Sequence, residues 1–347
     1  MCEVSVAIAC YNVEKYIEQC LLSILNQDFE DLEILVCDDC SSDKSLDIVK
    51  RVCMQHPKGY IVRIIQGEHN QGTAAIRNMG IDNAKGKYLL FLDGDDYISE
   101  NAISILYNRM LETHANLVIG NHTVFIDEIK LNNKNSTNHT TGYISDVINC
   151  RFAIAEWMKR RKSEYYPVAL WNKLFDKSFL LRNNIRCDTS HSIIDDIYFA
   201  YQTMVKANNV AIIDDVTMFW RHRNGSAMHI DVREDRLKIY VRVFDRILND
   251  IIQLKENNNG KVLPVQLYYT LTNRYVSGFI INNILSSRLL SRKQKKEYLS
   301  HVSVITRIGL KRSDFISRFS KVCFTCLSST YRFYLLKLVF VIKDMVR

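Results

Sequence analysis

Proline and glycine are scarce, at 3 and 12 among 347 residues, which excludes a collagen-like or low-complexity chain. The opening Met1-Cys2-Glu3-Val4 has neither the basic n-region nor the long apolar h-region of a secretory signal. The ten cysteines are scattered through predicted strands and helices rather than set out as a small-domain disulfide framework, so reduced thiols in a cytosolic protein are expected. Two Cys-x-x-Cys pairs, Cys37/Cys40 and Cys323/Cys326, lie far apart in sequence, and structural zinc needs four convergent ligands. No Gly-x-Gly-x-x-Gly follows the first apolar run, where Ala9-Cys10-Tyr11-Asn12 stands, and no Walker lysine loop occurs. A diphosphate bound here would lack a cradle of backbone N–H groups. Its charge would have to be met by a metal and by side chains, which counts against a dinucleotide-binding dehydrogenase.

What is present starts with core-forming capacity, since 47% of the residues are hydrophobic. Charge is unevenly placed. Residues 286–347 hold fourteen Lys or Arg against three Asp or Glu, a net +11, while the remaining 32 basic and 35 acidic residues leave −3. Such a tail suits an anionic surface. It lacks the aromatic interleaving on a strand platform that nucleic acid would need, so no nucleic-acid partner is expected. Its last apolar run, Phe333 to Ile342 broken by Lys337, is too short to span a bilayer, for which about 20 residues are required. It suits a helix lying on a membrane, or one packed on its own domain or a second subunit.

Strand and helix patterns alternate strictly through the first hundred residues. Val4–Ala9, Leu32–Cys37, Tyr60–Ile65 and Tyr88–Leu92 read as strands. Between them, helices are expected with Ile17, Cys20, Leu21, Ile24 and Leu25 on one face, then over 44–55 and 73–84. This order predicts a doubly wound, mostly parallel sheet of Rossmann-like α/β type, with ligands beyond the carboxyl ends of the strands. Asp38 and Asp39 end the second strand; Asp93, Asp95 and Asp96 end the fourth. By strand alternation Asp93 and Asp95 point to one side. Three acids in four positions repel one another unless a cation sits among them, and hard oxygen ligands suit Mg²⁺ or Mn²⁺. The alternative is a solvated acidic loop. Further on, Asn116–Gly120, Ala211–Ile213 and Val216–Trp220 read as strands, and 103–111, 152–162 and 197–206 as helices. Asp195-Asp196 opens the last of these. From about 231 the pattern is mainly helical.

Val4-Ser5-Val6 with Tyr11-Asn12, Asp38-Asp39-x-Ser41-Ser42-Asp43, Asn70-x-Gly72 with Arg77-Asn78-x-Gly80, and Phe91-Leu92-Asp93-x-Asp95-Asp96 resemble, in order and spacing, the family 2 glycosyltransferases of GT-A fold. Trp171-Asn172-Lys173 and Asp195-Asp196 continue the likeness to about residue 226. The resemblance implies a GT-A domain over 1–226, with a donor half at 1–100 and an acceptor half at 101–226, then a basic, mainly helical region over 227–347. It implies an inverting transfer from a nucleotide-sugar, in the first instance a UDP-sugar, to a glycan or lipid-linked acceptor, with Mn²⁺ or Mg²⁺ as cofactor. Tyr11 would stack on the base, and Asp39, with Asp38 beside it, would accept from a uracil N–H. Arg77 would lie near the base or diphosphate. Asp93 and Asp95 form the Asp-x-Asp motif, with Asp95 and Asp96 nearest ribose and metal. Asp196 would be the general base, with Asp195 its rival.

Cys40 stands where the family often has glycine, and the Gln-x-x-Arg-Trp signature of processive members is absent, which implies one sugar per binding event. Trp171 suits core packing or acceptor stacking, and Arg221-His222-Arg223 a phosphate clamp or a basic turn. The expected location is the cytoplasm, with the basic tail directed at the inner face of the membrane. A non-catalytic nucleotide-sugar-binding subunit of a membrane assembly is the competing reading.

Overall fold

In the computed structural model the described residues are 2–126, 139–140, 145–150, 153–154, 169–190 and 195–222, with isolated positions from 239 to 293. The chain divides into two compact units, one of Met1–Arg161 and Pro167–Ile230, the other of Lys162–Tyr166 and Asp231–Arg347. The expected helix at 152–162 and the basic tail lie almost wholly outside the described residues. No helix among the described residues is long and apolar enough to cross a membrane.

The first unit is built on a ten-stranded sheet. Its first part runs β1 (Val4–Cys10), α1 (Ile17–Leu25), β2 (Leu32–Asp38), α2 (Ser45–Gln55), β3 (Val62–Gln66), α3 (Thr73–Asn83) and β4 (Tyr88–Asp93). After it come β5 (Tyr97–Ile98), α4 (Ala102–Thr113), β6 (Leu117–Ile126), β7 (His139–Thr140), β8 (Asp146–Asn149), β9 (Lys173–Asp176), α5 (Lys177–Arg182), α6 (Asp195–Lys206) and β10 (Asn209–His222). The strand order is β3-β2-β1-β4-β9-β6-β10-β5, with β7 beside β6 and β8 beside β10. β3, β2, β1 and β4 are mutually parallel, as the βαβ alternation requires. β9 enters antiparallel to both β4 and β6, and β10 runs parallel to β6.

β1, β2 and β4 are near-continuous apolar runs because helices cover both their faces. α1 buries Ile17, Cys20, Leu21, Ile24 and Leu25, the five positions its 3.6-residue spacing marks. On the opposite face α3 approaches β1 very closely at Gly80, where a Cβ would lie 2.7 Å from Ala7 Cβ.

Three elements differ from the sequence reading. Tyr60 is 83% exposed in a 3-10 turn over Gly59–Ile61, so β3 begins only at Val62. The two strands expected between 211 and 220 are one strand, β10, whose register shifts between Ile212 and Met218. Asp214 and Asp215, polar enough to look like a break, occupy this irregularity and are exposed. Finally, β4 ends at Asp93, and Gly94 and Asp95 form a turn rather than continuing the strand, so strand alternation does not govern where Asp95 points.

Candidate active site

The loops after β1 and β2 are stitched together at the carboxyl edge of the sheet. Asn12 Oδ1 accepts from Ser42 N at 2.8 Å, and Asn12 N donates to Ser41 Oγ at 3.1 Å. Glu14 N donates to Asp43 Oδ2 at 3.0 Å, while Asp43 Oδ1 accepts from the N–H of Ser45, the first residue of α2, at 2.9 Å; the N-cap itself is Lys44. Both loops carry a left-handed residue, Asn12 at φ 50° and Cys40 at φ 60°. The backbone at 40 is the left-handed conformation that glycine favours, so the cysteine there carries a conformational cost. Tyr11 projects from this edge, 47% exposed.

Asp38 and Asp39 both turn inward. Asp38 accepts from Ser41 N at 3.2 Å and from Gln66 Nε2 at 3.3 Å. Asp39, 4% exposed, accepts from Gln71 N at 2.7 Å and Gly72 N at 2.9 Å, one amide to each carboxylate oxygen. It therefore fixes the loop that leads into α3. Each oxygen keeps further acceptor capacity. Arg77, on α3, is buried and pairs with Asp93 at 3.0 Å, so α3 is tied to the end of β4.

The Asp93–Asp96 turn is closed by two backbone bonds, Gly94 N to Ala9 O and Asp96 N to Asp93 O, each 2.9 Å. The three carboxylates separate here. Asp93 faces Arg77, Asp95 is half-buried, and Asp96 is 2% exposed with Oδ1 accepting from Arg221 N at 2.7 Å. Burial, and then the charges of Asp95 and Asp93, push the Asp96 carboxyl well above its ordinary range, against the pull of Arg221. No group of three or more His, Cys, Asp or Glu side chains that could hold a metal ion occurs among the described residues. The donor chemistry still fits a hard divalent cation, because Mg²⁺ is commonly held by one or two carboxylates together with substrate phosphates rather than by an all-protein cage.

Asp195 and Asp196 are the first residues of α6. Phe199, one turn on, packs against Phe91 of β4 at 6.0 Å and Phe175 of β9 at 5.6 Å. This cluster fastens the start of α6 beside the end of β4, two residues before Asp93. Lys173 shares a face of β9 with Phe175. It is 2% exposed, donates to Asn172 Oδ1 at 2.8 Å and also bonds Ala169 O. Burial lowers its pKa to about 7, opposed by the charge of Asp196. Burial and the Lys173 charge lower His122 to about 4. Trp171 meets His122 edge-on at 4.7 Å and stacks on Trp220 at 6.2 Å while packing against the core.

The strand pattern puts Asp38, Asp39, Asp93, Asp95 and Asp96 at strand carboxyl ends, the resemblance adds Tyr11 and Arg77, and in the structure all seven lie along one edge of the sheet. Lys173 and Gln19 were assigned no role. A lysine inside an apolar stretch, Leu170–Phe175, was the available signal for the first. Nothing local marks Gln19, whose partner is 202 residues away.

The sequence pattern of Glycosyl transferase family 2 matches residues 5–178. A relative in Streptococcus pneumoniae serotype 4, "Glycosyltransferase GlyG", is 29% identical over 72% of this chain and 80% of its own. "Poly(ribitol-phosphate) beta-N-acetylglucosaminyltransferase TarP" of Staphylococcus aureus is 29% identical over 86% and 82%. Among solved structures, S. aureus TarS residues 1–349 in complex with UDP-GlcNAc superposes with a TM-score of 0.69 at 20% identity, covering 87% of this chain and 80% of that one.

Proposed function

Because the chain belongs to Glycosyl transferase family 2 and is a glycosyltransferase, we propose that it moves a sugar from a UDP-sugar to a hydroxyl of a glycan or lipid-linked acceptor, with inversion at the anomeric carbon. The observation that carries the reading is the placement of two carboxylate groups about one sheet edge. Asp93 ends β4, Asp95 lies in the turn that follows, and Asp196 is near the start of a helix fastened to β4 through Phe199 and Phe91. Relatives named for poly(ribitol-phosphate) and for cholesterol support an acceptor that offers a hydroxyl, and the UDP-GlcNAc complex of TarS supports a uridine donor.

In this reading Tyr11 stacks on uracil and Asp39 accepts its N3–H, with Asp38 bracing the loop behind. Asp95, with Asp93, would hold Mn²⁺ or Mg²⁺ arriving with the diphosphate, while Asp96 braces the turn from within. The cation would neutralise charge developing on the leaving group. The acceptor hydroxyl attacks the anomeric carbon as its bond to the diphosphate oxygen breaks, UDP departs with that electron pair, and Asp196 takes the hydroxyl proton. Asp195 is the alternative base. Arg77, through its bond to Asp93, sets where the turn stands. The basic region 286–347 provides a docking surface for anionic lipid at the inner face of the membrane.

The test is hydrolysis of a panel of nucleotide sugars with Mn²⁺, with excess chelator, and in Asp95→Asn. Turnover is expected for a uridine donor only with metal, and is expected to collapse in the variant with its circular dichroism unchanged. Full turnover in chelator overturns the metal assignment, and no turnover of any donor overturns the enzyme reading.

A further inference from the structure

Arg221 is the point where three separate parts of the first unit meet. It lies at the end of β10, 6% exposed. Its backbone N–H donates to Asp96 Oδ1 at 2.7 Å, and its Nε donates to the Asp95 carbonyl at 2.9 Å. Nη2 reaches Gln19 Oε1 on α1. The guanidinium lies 5.0 Å from the ring centroid of Tyr16 and 5.8 Å from that of Tyr97, and Tyr97 itself stacks on Phe219 at 4.7 Å. One side chain thus spans the acidic turn, the strand pair β5–β10 and the first helix.

We propose that Arg221 is a positioning residue: it clamps the Asp93–Asp96 turn between β10 and α1, so that Asp95 meets a metal-bound diphosphate in a fixed attitude. The contact pattern goes beyond neutralisation of acidic charge, although the Arg221 charge does draw the Asp96 carboxyl down. A residue placed to neutralise the cluster would aim its cation at carboxylates. Among the described residues the guanidinium reaches the Asp95 carbonyl, Gln19 and two aromatic rings, while the Asp96 carboxylate is bonded by the Arg221 main-chain N–H. The clamp takes the carbonyl of Asp95, not its carboxylate, so it sets the turn without occupying the group that would face the metal. A planar fork can bond Gln19 and Asp95 while lying 5.0 and 5.8 Å from two ring centroids; a lysine, a single point charge on a flexible stem, cannot hold both bonds in that geometry. The inference rests on Asp95 as a metal-facing residue.

The experiment measures Mn²⁺ binding by electron paramagnetic resonance in the presence of UDP, and UDP binding without metal by calorimetry, for the native protein, Arg221→Lys and Arg221→Met. Loss of the clamp is expected to weaken Mn²⁺ binding about 10- to 100-fold, the range for residues that support a metal ligand from behind. Metal-free UDP binding and the melting temperature of Arg221→Lys should stay close to native. Native Mn²⁺ binding in both variants overturns the inference and leaves the metal reading standing. No Mn²⁺ binding by the native protein overturns both. Should Arg221→Met fail to fold, Gln19→Leu severs the α1 end of the clamp, and unchanged Mn²⁺ binding there and in Arg221→Lys is again the refuting result.

Discussion

Lys173 offers a prediction whose size follows from its surroundings. Its amine is 2% exposed and held by Asn172 Oδ1 and Ala169 O, two acceptors that the two N–H groups of a neutral amine can serve. Burial lowers its pKa from 10.5 to about 7. The folded protein therefore releases this proton near neutrality, while the unfolded chain keeps it until far higher pH. Where the unfolded state binds more protons, stability rises with pH. At 1.36 kcal/mol per unit of pKa difference, rounded off near the folded pKa, the gain between about pH 7 and 8.5 is about 1.5 kcal/mol. The buried thiols of Cys10 and Cys37, pushed up to about 12, oppose this gain as the unfolded chain's thiols begin to ionise, but they do so equally in a variant. Lys173→Met should lose about 1–3 kcal/mol overall by stranding two acceptors, and it should also lose the rise. Urea unfolding of both proteins across this window gives the comparison. Curves that remain parallel would refute the claim that Lys173 titrates in the folded state near pH 7.

Asp39→Asn can keep only one of the two amide bonds to Gln71 and Gly72, so it should lower stability by about 1–3 kcal/mol and erase a preference for UDP over ADP that calorimetry should place at about tenfold in the native protein. Equal native affinities would reject Asp39 as the uracil acceptor. Asp196→Asn should slow sugar transfer about 10²–10⁴-fold with UDP affinity unchanged, and transfer at the native rate would place the base elsewhere. Gly80→Ala sets a Cβ 2.7 Å from that of Ala7 and should cost about 1–3 kcal/mol by denaturant unfolding; a neutral result would mean α3 does not sit this close to β1.

The first hundred residues were readable because their signals are local. Val4–Ala9 and Leu32–Cys37 are apolar runs interrupted only by Ser5 and Glu33, Tyr88–Leu92 is unbroken, and acidic residues follow the second and fourth runs directly. The later strands were harder because their contacts are distant. β9 has four residues and no turn signal that fixes its direction, and only pairing with β4 and β6 decides it. The burial of Asp96 depends on a residue 125 positions away, so three adjacent acids looked equivalent in sequence and are not in the fold. Asp214-Asp215 misled for a related reason: a polar pair breaks a pattern equally well whether the strand stops or merely shifts register.

The reversed direction of β9 has a consequence for how such a protein diversifies. β4 and β6 both run against β9, so β6 ends and β9 begins toward the edge where β4 ends at Asp93. Between them β7 returns to β6, and β8 returns to β10 and buries Ile148, so that length of chain is itself part of the sheet. The parallel register of β3, β2, β1 and β4 is complete by residue 93 and uses none of those pairings. A change after residue 126 can therefore alter the later strands without reopening the first four, but a graft there has to carry β7 and β8 with it.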